Sequence, residues 1–279
     1  MIKLDTLSSQ VLLTTTRIMA HKDSGKSSVG TAFYFHFKVD DQTSIPALVT
    51  NRHVIENAKT GEFYVHTATT DPTGKRIPTE LSVPVALPNF SDLWIAHPGG
   101  IDLCAMPFEP LRQTAQQMKI DIFYIHYDEQ LIPSAETLGN LAAMEDITMV
   151  GYPIGLWDQK NNFPLLRKGV TASHPASDFN GESIGLLDIA ALPGSSGSPI
   201  LVLNQGSYAV STGISIGSRL ILLGILYMYY RLLPGGETKA IEIPTTISTD
   251  EMGIPLHIGR YIKSSELLEL KKALLKLAK

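Results

Sequence analysis

"TAFYFHFKV" (Thr31–Val39) alternates along its length. Successive side chains of an extended chain point to opposite sides, so Phe33, Phe35 and Phe37 share one face and Ala32, Tyr34, His36 and Lys38 the other. That period of two predicts a strand in a sheet with one face in a core. Similar short apolar or alternating runs, bounded by turn residues, follow outward along the chain: "ALVTNRHVI", "EFYVHTAT", "LWIAHP", "DITMVGYP", "LLDIAAL", "SPILVL", "ISIG", "LILLGILYMYY" and "AIEIP". Strand signals that follow one another without intervening helical ones predict an all-β sandwich or barrel.

The most apolar of these runs, Leu220–Tyr230, is too short for a bilayer, which takes about 20 apolar residues. It reads as a buried strand, because Gly224 inside a helix would cost about 1 kcal/mol relative to alanine and its tyrosines favour strand. No membrane span is expected. Helical signal is confined to "EPLRQTAQQMKI", a turn or short helix, and to "SSELLELKKALLKLAK". In the latter, Leu267, Leu270, Leu274 and Leu277 form an apolar stripe, with Glu266 in the first turn and Lys276 and Lys279 in the last, as the helix dipole prefers. This helix is expected to pack on the strands as a lid. The irregular stretch from Asp121 to Asp146, with Pro133, Gly139 and Asn140, suggests a junction. The expected organisation is therefore 1–125, 126–262 and a helical tail, 263–279.

A chain of 279 residues with a formal charge of −4 and no long run of one sign carries no electrostatic footprint for nucleic acid. One cysteine, Cys104, excludes an internal disulfide framework and suits a reducing compartment. The amino terminus, "MIKLDTLSSQVLLTTTRIMA", lacks the continuous apolar segment of a secretory signal, so a cytoplasmic protein is expected. Without HExxH, CxxC or a phosphate-binding glycine loop, neither a metal nor a cofactor is expected.

"ALPGSSGSPILV" (Ala191–Val202) could be a linker or a rigid turn. Linkers stay polar on both sides, whereas "LLDIAAL" leads in and "PILVL" leads out. A tight turn between two core strands is the better reading. Gly194 and Gly197 open backbone conformations closed to other residues, and such a turn offers a hydroxyl together with successive N–H groups. A serine nucleophile needs a neighbouring base, and the oxyanion formed on attack needs fixed donors. Among eight histidines, His53 stands out at a strand end, opening "HVIENA". Asp102 heads the apolar run "IDLCAMPF", where an isolated charge would need a partner, and an imidazole is one.

Together, "LVTNRHVI", "IDLCAMPF" and "PGSSGSPI", in the order His, Asp, Ser, resemble the chymotrypsin-like, or trypsin-like, serine peptidases. "VGYPIG", "LRKGVTASHP" and "LHIGRYIKSSELLEL" are similar to segments of bacterial intracellular members. The resemblance extends from about Gly30 to Gly259 and implies two antiparallel six-stranded Greek-key barrels with the site between them. It implies a serine endopeptidase acting on protein or peptide substrates, with Ser196 as nucleophile, His53 as base and Asp102 orienting it. The N–H groups of Gly194 and Ser196 would form the oxyanion hole. It further implies that Ala190 lies near the floor of the primary pocket and that Tyr227, Met228 and Tyr229 supply the edge pairing with substrate. An uncharged floor points to small or medium apolar side chains. Ser195 stands where digestive members carry an aspartate that pairs with a freshly cut amino terminus, so activation by such cleavage is not expected. Control by an activating or substrate-delivering partner, or by a loop rearrangement, stays open. The alternative is a catalytically silent or latent module of the same fold that binds peptides or a partner.

Overall fold

The structure, a computed structural model, describes residues 3–23, 25, 27–210, 213–245 and 254–277. Lys279 lies outside them. Nine strands form the first sheet: β1 Thr15–Lys22, β2 Ser27–Lys38, β3 Ser44–Thr50, β4 Ala58–Thr70, β5 Arg76–Pro88, β6 Ile95–Ala96, β7 Cys104–Pro107, β8 Ile122–Phe123 and β9 Tyr127–Asp128. Its path runs β5-β4-β1-β2-β3-β7-β6, with β8 on β4 and β9 on β2. β8 and β9 are two-residue strands inside the stretch that reads as irregular, and two longer strands are illegible as alternating runs for identifiable reasons. β5 carries Pro78, Pro84 and Pro88, tolerable because it ends the sheet path, where missing ladder donors cost least. β1 carries Arg17, buried with its guanidinium 4.3 Å from the Trp157 ring.

β2 corrects one expectation. Its alternation is real, but both faces are buried over Ala32–Phe35. Ala32 and Tyr34 face a cluster enclosed by the first sheet, with Phe63, Phe90 and Trp94. Phe33, Phe35 and Phe37 face a second cluster shared with Val150, Leu201, Leu222 and Ile225 of the other half. A strand between two cores has no solvent face to keep polar.

The second half holds β10 Asp146–Gly151, β11 Leu165–Thr171, β12 Ile184–Asp188, β13 Pro199–Asn204, a separate hairpin of β14 Ser207–Val210 and β15 Gly213–Ile216, then β16 Arg219–Leu232, β17 Thr238–Glu242 and β18 Ile254–Lys263. The order β13-β10-β11-β12-β18-β16 closes on itself because β13 also pairs with β16, giving a six-stranded barrel, with β17 added outside β16. Every pairing among these strands is antiparallel. The "PGG" turn joins β16 to β17 with positive φ at Gly235 and Gly236.

Among the described residues, five α-helices accompany the strands: α1 Leu7–Gln10, α2 Arg52–Ile55, α3 Glu109–Gln117, α4 Ala135–Gly139 and α5 Glu266–Leu277. The expected carboxyl-terminal stripe is present: Leu267, Leu270 and Leu274 of α5 are buried in the cluster that both halves share. Burial of that kind stabilises by about 1.5–3 kcal/mol per leucine. Glu266, in the first turn, lies 3.2 Å from His97 Nε2. The protein is thus mostly β, with a closed barrel and a terminal helix lying over the seam. No helix among the described residues is long and apolar enough to cross a membrane.

Candidate active site

Strand register brings His53 and Asp102 together. β3 and β7 run antiparallel with Thr50 opposite Cys104, so the residues just after Thr50 and those just before Cys104 leave the ladder side by side. The chain turns at once into α2, and the His53 N–H donates to Asp102 Oδ1 at 3.0 Å. His53 Nδ1 lies 2.5 Å from Asp102 Oδ2. Asn51 Nδ2 donates to the Asp102 carbonyl at 2.8 Å, bracing the same loop from its other side. The side chains of His53 and Asp102 retain 8% and 14% exposure, so water screens the pair little.

Ser196 comes from the turn between β12 and β13. Its Oγ lies 2.8 Å from His53 Nε2. An ionised carboxylate only accepts, so Nδ1 carries the imidazole hydrogen and Nε2 is left to accept from the serine hydroxyl. The turn is held tightly. The Thr31 N–H donates to the Ser196 carbonyl at 2.8 Å, and the Gly197 N–H donates to Leu226 at 2.9 Å. Gly197 sits at φ 83°, where a Cβ would stand 2.1 Å from the Thr31 carbonyl oxygen. Gly194, at φ 85°, also lies where L side chains are strained. The Pro193 carbonyl accepts from the Ile154 N–H. A trans peptide points its C=O and N–H opposite ways, so the Gly194 N–H faces away from Ile154.

Two neighbours are chemically quiet. Cys104 is buried, and that burial, with the Asp102 charge second, pushes its thiol well up, away from the thiolate a nucleophile needs. Ser195 is buried, and its Oγ has no hydrogen-bond partner among the described residues.

Of the residues expected to bind substrate, Tyr227, Met228 and Tyr229 lie together on β16, and Ala190 follows the end of β12. Tyr227 and Tyr229 are buried, and Met228 is half-buried between them on β16. Ala190 is half-buried, with its carbonyl accepting from Arg167 Nη1 at 2.5 Å. Sequence reading missed the segment that lies against Ser196. Ile243 is buried, its carbonyl lies 3.4 Å from Ser196 Oγ, and a carboxylate oxygen of Glu242, a ring nitrogen of His53 and a carboxylate oxygen of Asp102 lie within 4.8 Å of one another. "AIEIP" is legible as a strand, but nothing local in it reports which part of the fold it crosses.

A family model described as the trypsin-like peptidase domain matches residues 30–208. No curated protein sequence matches the chain. Solved structures similar to it include the active form of the Rv3671c protease of M. tuberculosis, at 12% identity over 95% of this chain and 82% of that one, TM-score 0.42. HL collagenase is 14% identical over 94% of this chain and 93% of that one, TM-score 0.45. The thermostable serine protease AL20, from an extremophilic microorganism, is 12% identical over 94% of this chain and 97% of that one, TM-score 0.45. With its matched residues spanning β2 to β14, well over half its length, this chain belongs to the trypsin-like peptidase domain family.

Proposed function

We propose that the protein is a serine endopeptidase that hydrolyses protein or peptide substrates through an acyl-enzyme. The observation that carries this reading is the continuous relay from Asp102 Oδ2 through His53 to Ser196 Oγ, at 2.5 and 2.8 Å. In this mechanism Ser196 Oγ attacks the carbonyl carbon while His53 Nε2 takes the hydroxyl proton. Asp102 holds the Nδ1–H tautomer and stabilises the imidazolium. His53 then delivers the proton to the leaving amine, the C–N bond breaks, and water repeats the attack on the ester to regenerate Ser196. The N–H groups of Gly194 and Ser196 are the donors for the developing oxyanion, a role in which loss of one donor costs about 10²–10³ in rate. The left-handed backbone at Gly194 and the Ile154 contact that orients its peptide support that assignment.

A fluorophosphonate probe tests the reading. Mass spectrometry is expected to find the adduct on Ser196 and to lose it in His53→Ala. An adduct on another residue, or one that persists unchanged in His53→Ala, overturns it. The complete burial of Ser196 beneath Ile243 favours one variant of this reading, a peptidase that is latent at rest.

A further inference from the structure

Resting on the peptidase reading, we propose that Ile241–Thr245 of this chain occupies the substrate groove as a substrate strand would. The primary pocket then selects a β-branched or medium aliphatic side chain, and the enzyme is latent until the segment leaves.

Main-chain pairing makes the first part of the case. β17 lies antiparallel on β16, with Tyr229 opposite Ile241 and Met228 opposite Glu242. One residue further on, the Ile243 N–H donates to the Tyr227 carbonyl at 3.2 Å. A peptide that adds itself to this edge would use the same backbone groups. The next group along the segment, the Ile243 carbonyl, stands at the proposed nucleophile, 3.4 Å from Ser196 Oγ. Past Ser196 the segment is clasped again. The Thr245 carbonyl accepts from the Val29 N–H at 2.8 Å, and Thr245 Oγ1 reaches Ser28 Oγ at 3.0 Å. The strap therefore runs from the second sheet to the first, directly over the relay.

Side-chain alternation makes the second part. Ile243 is fully buried in a cluster with Ile189, Ala191, Leu226 and Tyr229, and Ile241 packs against the same cluster. Glu242, between them, turns the other way, toward His53 and Asp102. The pocket that accepts Ile243 thus has an aliphatic and aromatic lining. An arginine or lysine there would bury a charge against apolar walls. Latency follows because Ser196 has no exposed surface while Ile243 covers it. Pro244 follows the presented carbonyl. The chain beyond is clasped at Thr245, so an amine freed by cleavage would stay beside the acyl-enzyme and re-form the bond rather than diffuse away.

The test compares the full chain with Ile243→Ala, which empties the pocket, and Thr245→Gly, which loosens the far clasp without touching the core. Thermal midpoints and circular dichroism establish that each is folded. Reaction rate scales with the uncovered fraction, so fluorophosphonate labelling of Ser196 is expected to rise about tenfold or more in Ile243→Ala and by less in Thr245→Gly. Quenched peptides given to the faster variant should be cut after Ile or Val about tenfold faster than after Phe or Arg. Equal labelling of Ser196 in the wild type and both variants overturns the strap while leaving the peptidase reading standing. Preferential cleavage after Phe or Arg overturns the pocket assignment. Folded variants that neither label nor hydrolyse overturn the peptidase reading itself.

Discussion

The Thr31 N–H donates to the Ser196 carbonyl at 2.8 Å, so a strand of the first sheet holds the turn that the second sheet presents. Thr31 Oγ1 adds a bond to the Gly194 carbonyl at 3.1 Å and accepts from the Tyr152 N–H at 3.2 Å. The relay between His53 and Ser196 crosses the same seam. Its geometry depends on how the two halves are clamped as well as on the three side chains themselves.

Thr31→Val keeps the shape of this clamp and removes its hydroxyl. The Gly194 carbonyl and the Tyr152 N–H then lose a buried partner, at about 1–3 kcal/mol each. Urea denaturation should register a total loss of about 2–6 kcal/mol for the two groups, and turnover should fall further than the stability change alone explains. Unchanged stability would show that water takes the place of the hydroxyl.

Gly197→Ala is expected to be among the most damaging single-methyl additions in the protein. The new Cβ would meet the Thr31 carbonyl at 2.1 Å and Thr50 Oγ1 at 2.4 Å, at a φ of 83°. Both obstacles belong to the first sheet, so the halves must part or the turn must flip. A fall of several degrees in thermal midpoint with loss of turnover is expected, since about 1 kcal/mol moves a domain's midpoint by a few degrees.

Asp102→Asn separates positioning from mere presence. The amide can occupy the same volume but offers His53 Nδ1 the wrong pairing, so the imidazole takes the unproductive tautomer. Turnover should drop about 10⁴-fold with little change in thermal midpoint. Retention of more than a tenth of the activity would remove Asp102 from the relay.

Stability should fall as acid is added between pH 6.5 and about 4. Burial lowers the His66 pKa from 6.5 to about 4, so over this window the unfolded chain binds a proton that the folded chain refuses. Its contribution is present above the unfolded value and is lost as pH falls through the folded one, on the order of 3 kcal/mol. His36 behaves alike, lowered to about 4 by burial and by its stacked neighbour His126. Denaturation midpoints measured from pH 7 to pH 4 should therefore decline less in His66→Phe than in the wild type. Parallel curves would refute the assignment to His66.

Local patterning made much of the architecture legible. The alternation through Phe33, Phe35 and Phe37 marks a strand whatever surrounds it, because a side-chain period of two is a property of the extended backbone. The leucine stripe of α5 and the "PGG" turn are legible for the same kind of reason. Where local signals conflict with their setting, reading fails. Pro78, Pro84 and Pro88 hide β5, since proline argues against a strand unless the strand is known to lie at a sheet edge, and edges are set by pairing rather than by composition.

By itself the sequence determined the alternating core strands such as β2, the residue types at positions 53, 102 and 196, and the glycines that permit the turn at 194–197. Those follow from dihedral preference and side-chain chemistry, which act over a few residues. Only the tertiary structure decided that β2 is buried on both faces, that α5 covers the seam, and that Ile243 lies over Ser196. Each of these rests on register and packing between segments far apart in the chain. The serine turn at 194–197 and the segment at 241–245 are each readable as short local elements, yet their meeting is specified by β16, which carries the edge on which that segment lies.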